Sequence, residues 1–299
     1  MITDFRLKVF VTVAETMSFT KCADILHISQ PAVTKHIKEL ERHISKPLFI
    51  RLGSKIEISE AGKSLLPFAR NVLNSYMLLN ESVAPENTTE IEGTLRIGAS
   101  TTISQYLLPR ILALFHKIYP KVEIIVLSEN SEEITNSLVN QTIDFGIVED
   151  DIKKPSLHYQ SWAKDEIVLV TSTLNKKLKE DIIDIQLLTK LPLIVRETGS
   201  GTLSVIEHAL NQKGITRKDI NIQMQLGNSE SIIRYLQHSD CYALISLTAV
   251  SEALTNNKLR IIDISDINIH RQFRFVYLHG TTSRLIERFK EFCIKNYNQ

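Results

Sequence analysis

The sequence predicts an all-α N-terminal head of winged helix-turn-helix form, a long connecting helix, and a larger C-terminal α/β region. Three observations carry this. Residues 18–55 pack two short helical patterns, a tight turn and a small hairpin into one compact run. A helix-period apolar stripe then continues for more than twenty residues. From Thr94 onward, short apolar strands alternate with amphipathic helices, the pattern of an α/β layer fold. At 299 residues with 43% hydrophobic content the chain can bury more than one core.

The first helix is expected from Phe5 to about Thr16, with Phe5, Val9, Phe10 and Val13 on its inner stripe. Ser18 or Thr20 caps a second helix ending near Leu26, and His27-Ile28 forms the turn. Ser29 is a suitable N-cap for the third helix. Pro31 falls in its first turn, where a missing N–H is harmless. Val33, Ile37 and Leu40 follow at i, i+4 and i+7 and face inward. Thr34, Lys35, Lys38 and Arg42 therefore face outward, with Gln30 at the exposed start. Gln, Thr and Lys are side chains that read base edges or hold phosphate in a DNA major groove. A charged helix face is more often merely solvated. Here the cap, proline, apolar stripe and basic face agree.

Leu48–Leu52 and Lys55–Ile58 flank Gly53-Ser54 and read as a hairpin, with Arg51 and Lys55 at its tip. A basic hairpin beside a helix-turn-helix suits phosphate contact. The net charge of +1 gives no whole-chain attraction to nucleic acid. Residues 34–55 alone hold six Lys/Arg against two Glu.

Ser59 caps a long helix to about Val83, with Leu65, Phe68, Ala69, Val72, Leu73, Tyr76 and Val83 forming its seam and Pro67 expected to kink it. Such a seam fits dimerisation or packing on its own domain. Polar, non-periodic Ala84–Gly93 is the best domain boundary.

Strands are expected at Leu95–Ala99, Val122–Leu127, Asp144–Val148, Glu166–Thr171, Leu193–Arg196, Ile220–Leu226, Ala243–Ser246 and Phe273–Leu278, forming a parallel sheet. Helices are expected at Ile103–Ile118, Glu132–Gln141, Leu203–Lys213, Glu230–His238 and Ser283–Lys295. Ligands of such sheets sit beyond the carboxyl ends of strands. Two segments fit: Ser100-Thr101-Thr102, and Arg196 through Ser200-Gly201-Thr202. Each offers hydroxyls at a helix start, and Arg196 adds a planar fork for an anion. Either segment alone is as readily an ordinary helix cap.

Cys22, Cys241 and Cys293 are odd in number and lack metal spacing, which suggests a reducing compartment and no zinc site. The start MITDFRLKVF does not read as a signal peptide, and no apolar run approaches the ~18 residues of a membrane span. A cytoplasmic protein without membrane association is expected. Gly199-Ser200-Gly201 is neither a nucleophile elbow nor a dinucleotide fingerprint, and no acid/base pair or metal set is visible.

FRLKVFVTVAETMSFTKCADILHISQPAVTKHIKELE, with KPLFIR and ISEAGKSLLPFAR, resembles the DNA-binding domain of LysR-type transcriptional regulators. Cys22-Ala23 stand where the family has two small residues, and Ser45 where it has Gly. GTLRIGAS, LLPRILALFHKIYPKVEI and DFGIVEDD resemble the start of the family's effector domain, so the likeness covers nearly the whole chain. RETGSGT resembles members controlling sulfur or carbon assimilation.

The resemblance implies a winged helix-turn-helix over 1–58, a linker helix and hinge over 59–91, and an effector-binding domain over 92–299. That domain would be periplasmic-binding-protein-like, with lobe I at 92–163 and 268–299 and lobe II at 164–267. DNA contacts would fall on Gln30, Pro31, Thr34, Lys35, His36, Lys38, Arg51 and Lys55. Effector contacts would fall on Ser100, Thr101, Thr102, Arg196, Ser200, Gly201, Thr202 and Asn228. Implied partners are double-stranded DNA, a second copy in a homodimer or homotetramer, a small anionic metabolite, and RNA polymerase if the protein activates. No cofactor is implied beyond a small-molecule co-inducer. A solute-binding protein or an enzyme using the same cleft are the rival readings; the winged helix and the lack of a signal-peptide pattern disfavour the first, and the lack of an acid/base pair, metal set or activated nucleophile the second.

Overall fold

The computed structural model describes residues 3–52, 55–82, 91–149, 154–279 and 283–297, with only the backbone described at 51, 52, 55, 74, 77, 78 and 80–82. The Gly53-Ser54 turn, Val83 and most of the expected boundary segment lie outside the described residues. The chain divides into two compact units, Met1–Thr89 with Thr281–Arg284 and Glu90–Gly280 with Leu285–Gln299.

The first unit contains α1 (Phe5–Thr16), α2 (Phe19–Leu26), α3 (Gln30–Ile44), β1 (Phe49–Leu52), β2 (Lys55–Ile58) and α4 (Glu60–Ser82). Its caps follow the expected chemistry. Asp4 accepts from the Arg6 and Leu7 amides, Ser18 from Lys21, and Ser29 from Ala32. Left-handed His27 ends α2 and left-handed Ser45 ends α3, so Ser45 takes the conformation glycine adopts with less strain. Val9, Phe10, Val13, Cys22, Val33, Ile37, Leu48 and Ala69 form the core. Phe5 departs from the expected stripe: it is 36% exposed and lays its ring against His36.

The hairpin is tied to α3, because the Leu48 and Phe49 amides donate to the Glu41 carboxylate at 2.8 and 3.4 Å. Ser59 caps α4 while donating to the Pro47 carbonyl, and a side chain at Gly62 would collide with the Leu48 carbonyl oxygen. Pro67 lies inside α4 without ending it. The expected single seam is two faces. Ala61, Leu65, Leu66, Ala69 and Leu73 pack on this unit's core, whereas Phe68, Val72 and Leu79 are exposed by 67%, 41% and 43%.

The second unit opens with β3 (Gly93–Ser100), α5 (Thr101–Tyr106), α6 (Leu108–Ile118), β4 (Val122–Glu129), α7 (Ser131–Val139) and β5 (Phe145–Val148). A long strand β6 (Leu157–Ser172) leads to β7 (Ile182–Ile183), α8 (Ile185–Lys190), β8 (Leu193–Arg196) and α9 (Gly201–Gln212). β9 (Ile222–Leu226), α10 (Ser229–Leu236), β10 (Tyr242–Ser246), α11 (Leu247–Thr255), β11 (Leu259–Ile264), β12 (Ile269–Leu278) and α12 (Arg284–Asn296) complete it.

The sheet is mixed, which corrects the all-parallel expectation. β3 pairs in parallel with β4 and β5, and β8 with β9 and β10. β6 and β12 run antiparallel to each other from Ile269↔Ile167 to Leu278↔Leu157. They carry the chain between two α/β lobes, and a connection of that kind must reverse direction. Each lobe buries apolar side chains on both faces of its half-sheet: Leu95, Phe145, Phe275 and Phe289 against Ile134 and Leu138 in one, Leu169, Leu193 and Leu244 against Ile194, Ile233 and Val250 in the other. The expected helix Ile103–Ile118 is broken at Leu107. Pro109 has no N–H to give the carbonyl four residues back, so the chain restarts as α6 with the proline in its first turn.

Candidate functional site

Two sites emerge, one in each unit. In the first, α3 presents Pro31, Thr34, Lys35, Lys38, Glu39 and Arg42 along one shallow open groove. Among the described residues no ion pair holds Lys35, Lys38 or Arg42. Gln30 donates from its amide to the Thr34 hydroxyl at 3.0 Å, so the two lie together at the exposed start of the helix. Glu39 shares the groove, an acidic neighbour that the basic-face reading passed over. His36 is placed elsewhere. Its ring meets Phe5 at 5.3 Å, its Nδ1 is buried without a partner, and it lines a different hollow with Asp4, Arg6 and Tyr76. The side chains of Arg51 and Lys55 lie outside the described residues.

In the second unit the carboxyl ends of β3, β5, β8 and β10 meet the paired strands β6 and β12 that run between the two lobes. Ser100, Thr101 and Thr102 end β3 and begin α5, all buried. Arg196 ends β8, and Ser200, Gly201 and Thr202 begin α9. These two expected segments do meet. Arg196 donates to the Thr101 hydroxyl at 2.9 Å, and Thr102 and Ser229 hydroxyls stand 3.5 Å apart. The α7 start joins them, since the Glu132 amide donates to the Gly199 carbonyl at 3.3 Å. Asn228 serves as the α10 cap, accepting from Ser231, and Ser200 as the α9 cap, accepting from Leu203.

Arg196 is not an open fork. It is 2% exposed and holds the Glu197 carboxylate through Nε and Nη2, both at 2.8 Å, with a further bond to Ser229. Its charge is already matched, so the expected role as a free anion receptor does not describe its state here.

The groups that sequence reasoning missed lie on and beside those paired strands. Arg271 on β12 donates from Nε to Asp165 of β6 at 2.7 Å, and from Nη1 to the Thr202 hydroxyl at 2.7 Å and Glu149 at 3.3 Å. Asp165 also accepts from the Ser246 hydroxyl, and from the Thr248 hydroxyl and amide. Thr202 donates to Glu149 at 3.3 Å. All of Glu149, Asp165, Thr202 and Arg271 are buried. The one available signal was a charge inside or beside an otherwise apolar strand. Buried charges of this kind persist only when paired and hydrogen-bonded.

Among the described residues no group of three or more His, Cys, Asp or Glu is placed to hold a metal, and no helix is long and apolar enough to cross a membrane. Burial pushes the Cys22 thiol up to about 11 and the Cys293 thiol higher still, so both are inert core groups.

Comparison with known proteins agrees with both halves. Residues 5–63 match the bacterial regulatory helix-turn-helix protein, lysR family, and residues 88–298 match the LysR substrate binding domain. A probable RuBisCO transcriptional regulator of Synechocystis is 31% identical, over 89% of this chain and 78% of its own length. The Synechocystis transcriptional activator CmpR is 27% identical, over 91% and 88%. Among solved structures, full-length OxyR from Pseudomonas aeruginosa covers 99% of this chain and 98% of its own at TM-score 0.80 and 17% identity, a likeness of fold. The Synechocystis CcmR regulatory domain, solved in complex with 2-PG, covers 70% of this chain and 99% of its own at TM-score 0.63 and 23% identity.

Proposed function

We propose, from the premise that the chain belongs to the LysR family of helix-turn-helix transcriptional regulators, that a ligand held between its two α/β lobes changes how α3 engages DNA. The protein is a DNA-binding regulator with an effector-binding domain and not an enzyme. In the finer reading, Gln30, Pro31, Thr34, Lys35 and Lys38 enter the major groove while Arg51 and Lys55 follow the backbone. The observation that carries this is the basic groove of α3, whose cations have no ion-pair partner among the described residues, held in register by the Ser29 cap and by the Glu41 tether to the hairpin.

The exposed Phe68, Val72 and Leu79 face of α4 suits a second copy, giving a homodimer and, by pairing of dimers, a homotetramer. The effector is a small metabolite with an acidic group, a co-inducer seated among Ser100, Thr101, Thr102, Ser200, Gly201, Thr202 and the Arg196–Asn228 side of lobe II. It acts by binding one arrangement of the lobes better than another. Capture of RNA polymerase would follow if the bound form activates. Its setting is the cytoplasm, where its DNA lies.

The test is operator binding by the full chain, on a genomic fragment it selects itself. Lys35→Ala should weaken that binding by roughly five- to 150-fold, equivalent to ~1–3 kcal/mol. Unchanged affinity would show that α3 is not the reading helix. Thr102→Val should blunt the ligand response, followed by thermal shift with sulfate, simple carboxylates and sugar phosphates, and leave ligand-free operator affinity intact.

A further inference from the structure

The cleft's charges do not balance as a receptor for a plain anion would require. Arg196 is matched by Glu197 through a two-point fork. Arg271 is matched by Asp165 at 2.7 Å, and both Asp165 oxygens are occupied by Ser246, Thr248 and Arg271 itself. That leaves Glu149 as the less well matched carboxylate, because it shares the one Arg271 guanidinium with Asp165 and holds it only at 3.3 Å. Its Oε1 accepts from Thr202 and Arg271, both at a long 3.3 Å, while its Oε2 is buried with no partner among the described residues. Beside it, Arg271 Nη2 is equally buried and equally unpartnered.

Two hydroxyls without partners complete the set: Ser100 Oγ at the end of β3 and Ser131 Oγ at the start of α7, each in a residue 1% exposed. The strand register brings their backbones to the same end of the sheet as Glu149. Ser100 pairs with Glu129 of β4, two residues before Ser131. Ala99 pairs with Ile147 of β5, two residues before Glu149. A buried polar atom with no partner carries the full cost of its lost hydration. Four such atoms at one strand-end locus are unused binding capacity. A free carboxylate oxygen beside a free guanidinium nitrogen is the complement of an ammonium group beside an acid group.

We propose that the ligand of this cleft is a small zwitterion of the α-amino-acid type, its ammonium group on Glu149 Oε2 and its acid group on Arg271 Nη2 and the Ser100 and Ser131 hydroxyls. This rests on the reading of the cleft as the effector site and names the ligand's charge pattern. A ligand with acid groups alone would meet two carboxylates, Glu149 and Asp165, sharing one guanidinium in a low-dielectric site and be repelled.

The experiment is calorimetric titration of the full chain with the twenty common amino acids, and with two matched sets. Deaminated acids lack the ammonium group and amino-acid amides lack the acid group. The expected result is that at least one amino acid binds and that its deaminated and amide counterparts bind at least about tenfold more weakly. Glu149→Gln, which keeps shape and the Thr202 contact, should weaken the amino acid about tenfold and, by removing the repelling charge, let the deaminated acid bind more tightly. Ser100→Ala leaves the Arg271 network untouched and should cost a smaller, several-fold loss.

Absence of binding by every amino acid at millimolar concentration would overturn the proposal. So would a deaminated acid that binds as tightly as its parent, or amino-acid binding indifferent to Glu149→Gln. If simple acids or sugar phosphates bind instead and lose affinity in Thr102→Val, the zwitterion fails and the effector cleft stands. If whatever binds ignores both Thr102→Val and Glu149→Gln, the cleft reading fails as well.

Discussion

The DNA-reading unit and the effector unit keep their charge in opposite ways. On α3 the cations stand open in a groove with no ion-pair partner among the described residues; where β6 and β12 run between the lobes, Glu149 and Asp165 are buried and bonded to buried Arg271. An exposed lysine costs almost nothing to keep and acts on a polyanion at a distance. A buried arginine must be matched where it stands, so its neighbours are dictated to the ångström. The first arrangement is suited to a long, uniform partner met along its backbone. The second is suited to one small molecule whose charges must fit.

The largest expected effect breaks the buried side. Arg271→Met strands Asp165 and Glu149 together and should cost ~3–5 kcal/mol of stability, read as an earlier urea transition of the effector unit. A cost below about 1 kcal/mol would mean that water reaches this network freely.

Next comes salt, which sharpens the contrast without any substitution. With about four phosphate contacts, operator affinity should fall roughly a hundredfold between about 50 and 200 mM salt. Ligand binding in the cleft should move by less than about twofold, because buried pairs are weakly screened. Parallel losses in both would erase the distinction.

A third test concerns how the lobes meet. Gly199 has φ +85°, and a side chain there would stand 2.9 Å from the Glu132 carboxylate and 3.2 Å from Asn130. Gly199→Ala should cost ~1–2 kcal/mol in the effector unit's unfolding and weaken ligand binding, with operator affinity untouched. The smallest effect returns to the open side. Ser29→Ala removes the α3 cap and should cost about 1 kcal/mol in thermal unfolding of the first unit, with a modest operator loss.

The helix-turn-helix was legible because its signals are local. Ser18 and Ser29 as caps, Pro31 in the first turn, and Val33 and Ile37 on one stripe all lie within a few residues of what they shape. The strands Leu95–Ala99, Leu193–Arg196 and Ala243–Ser246 were legible as short apolar runs. Elements without such a mark were missed. α11 follows β10 with Ser246 alone as cap, and β11 and α8 are short and mixed in character. β6 was read only over its apolar half, since HYQSW shows no clear alternation. The seam of α4 was seen, but not that Ala69 and Leu73 turn inward while Phe68 and Val72 turn out.

By itself the sequence determined the helical head, the basic outer face of α3, the alternating α/β plan and the two hydroxyl-rich strand ends, because periodicity, capping and turn chemistry act over a turn or two of chain. Tertiary structure alone decided that Glu149, Asp165, Thr202 and Arg271, spread over more than a hundred residues, become one buried network, and that Arg196 is spent on Glu197. Strand pairing and burial set those distances. Only there is water removed, so that each charge must be answered by a partner or left for a ligand.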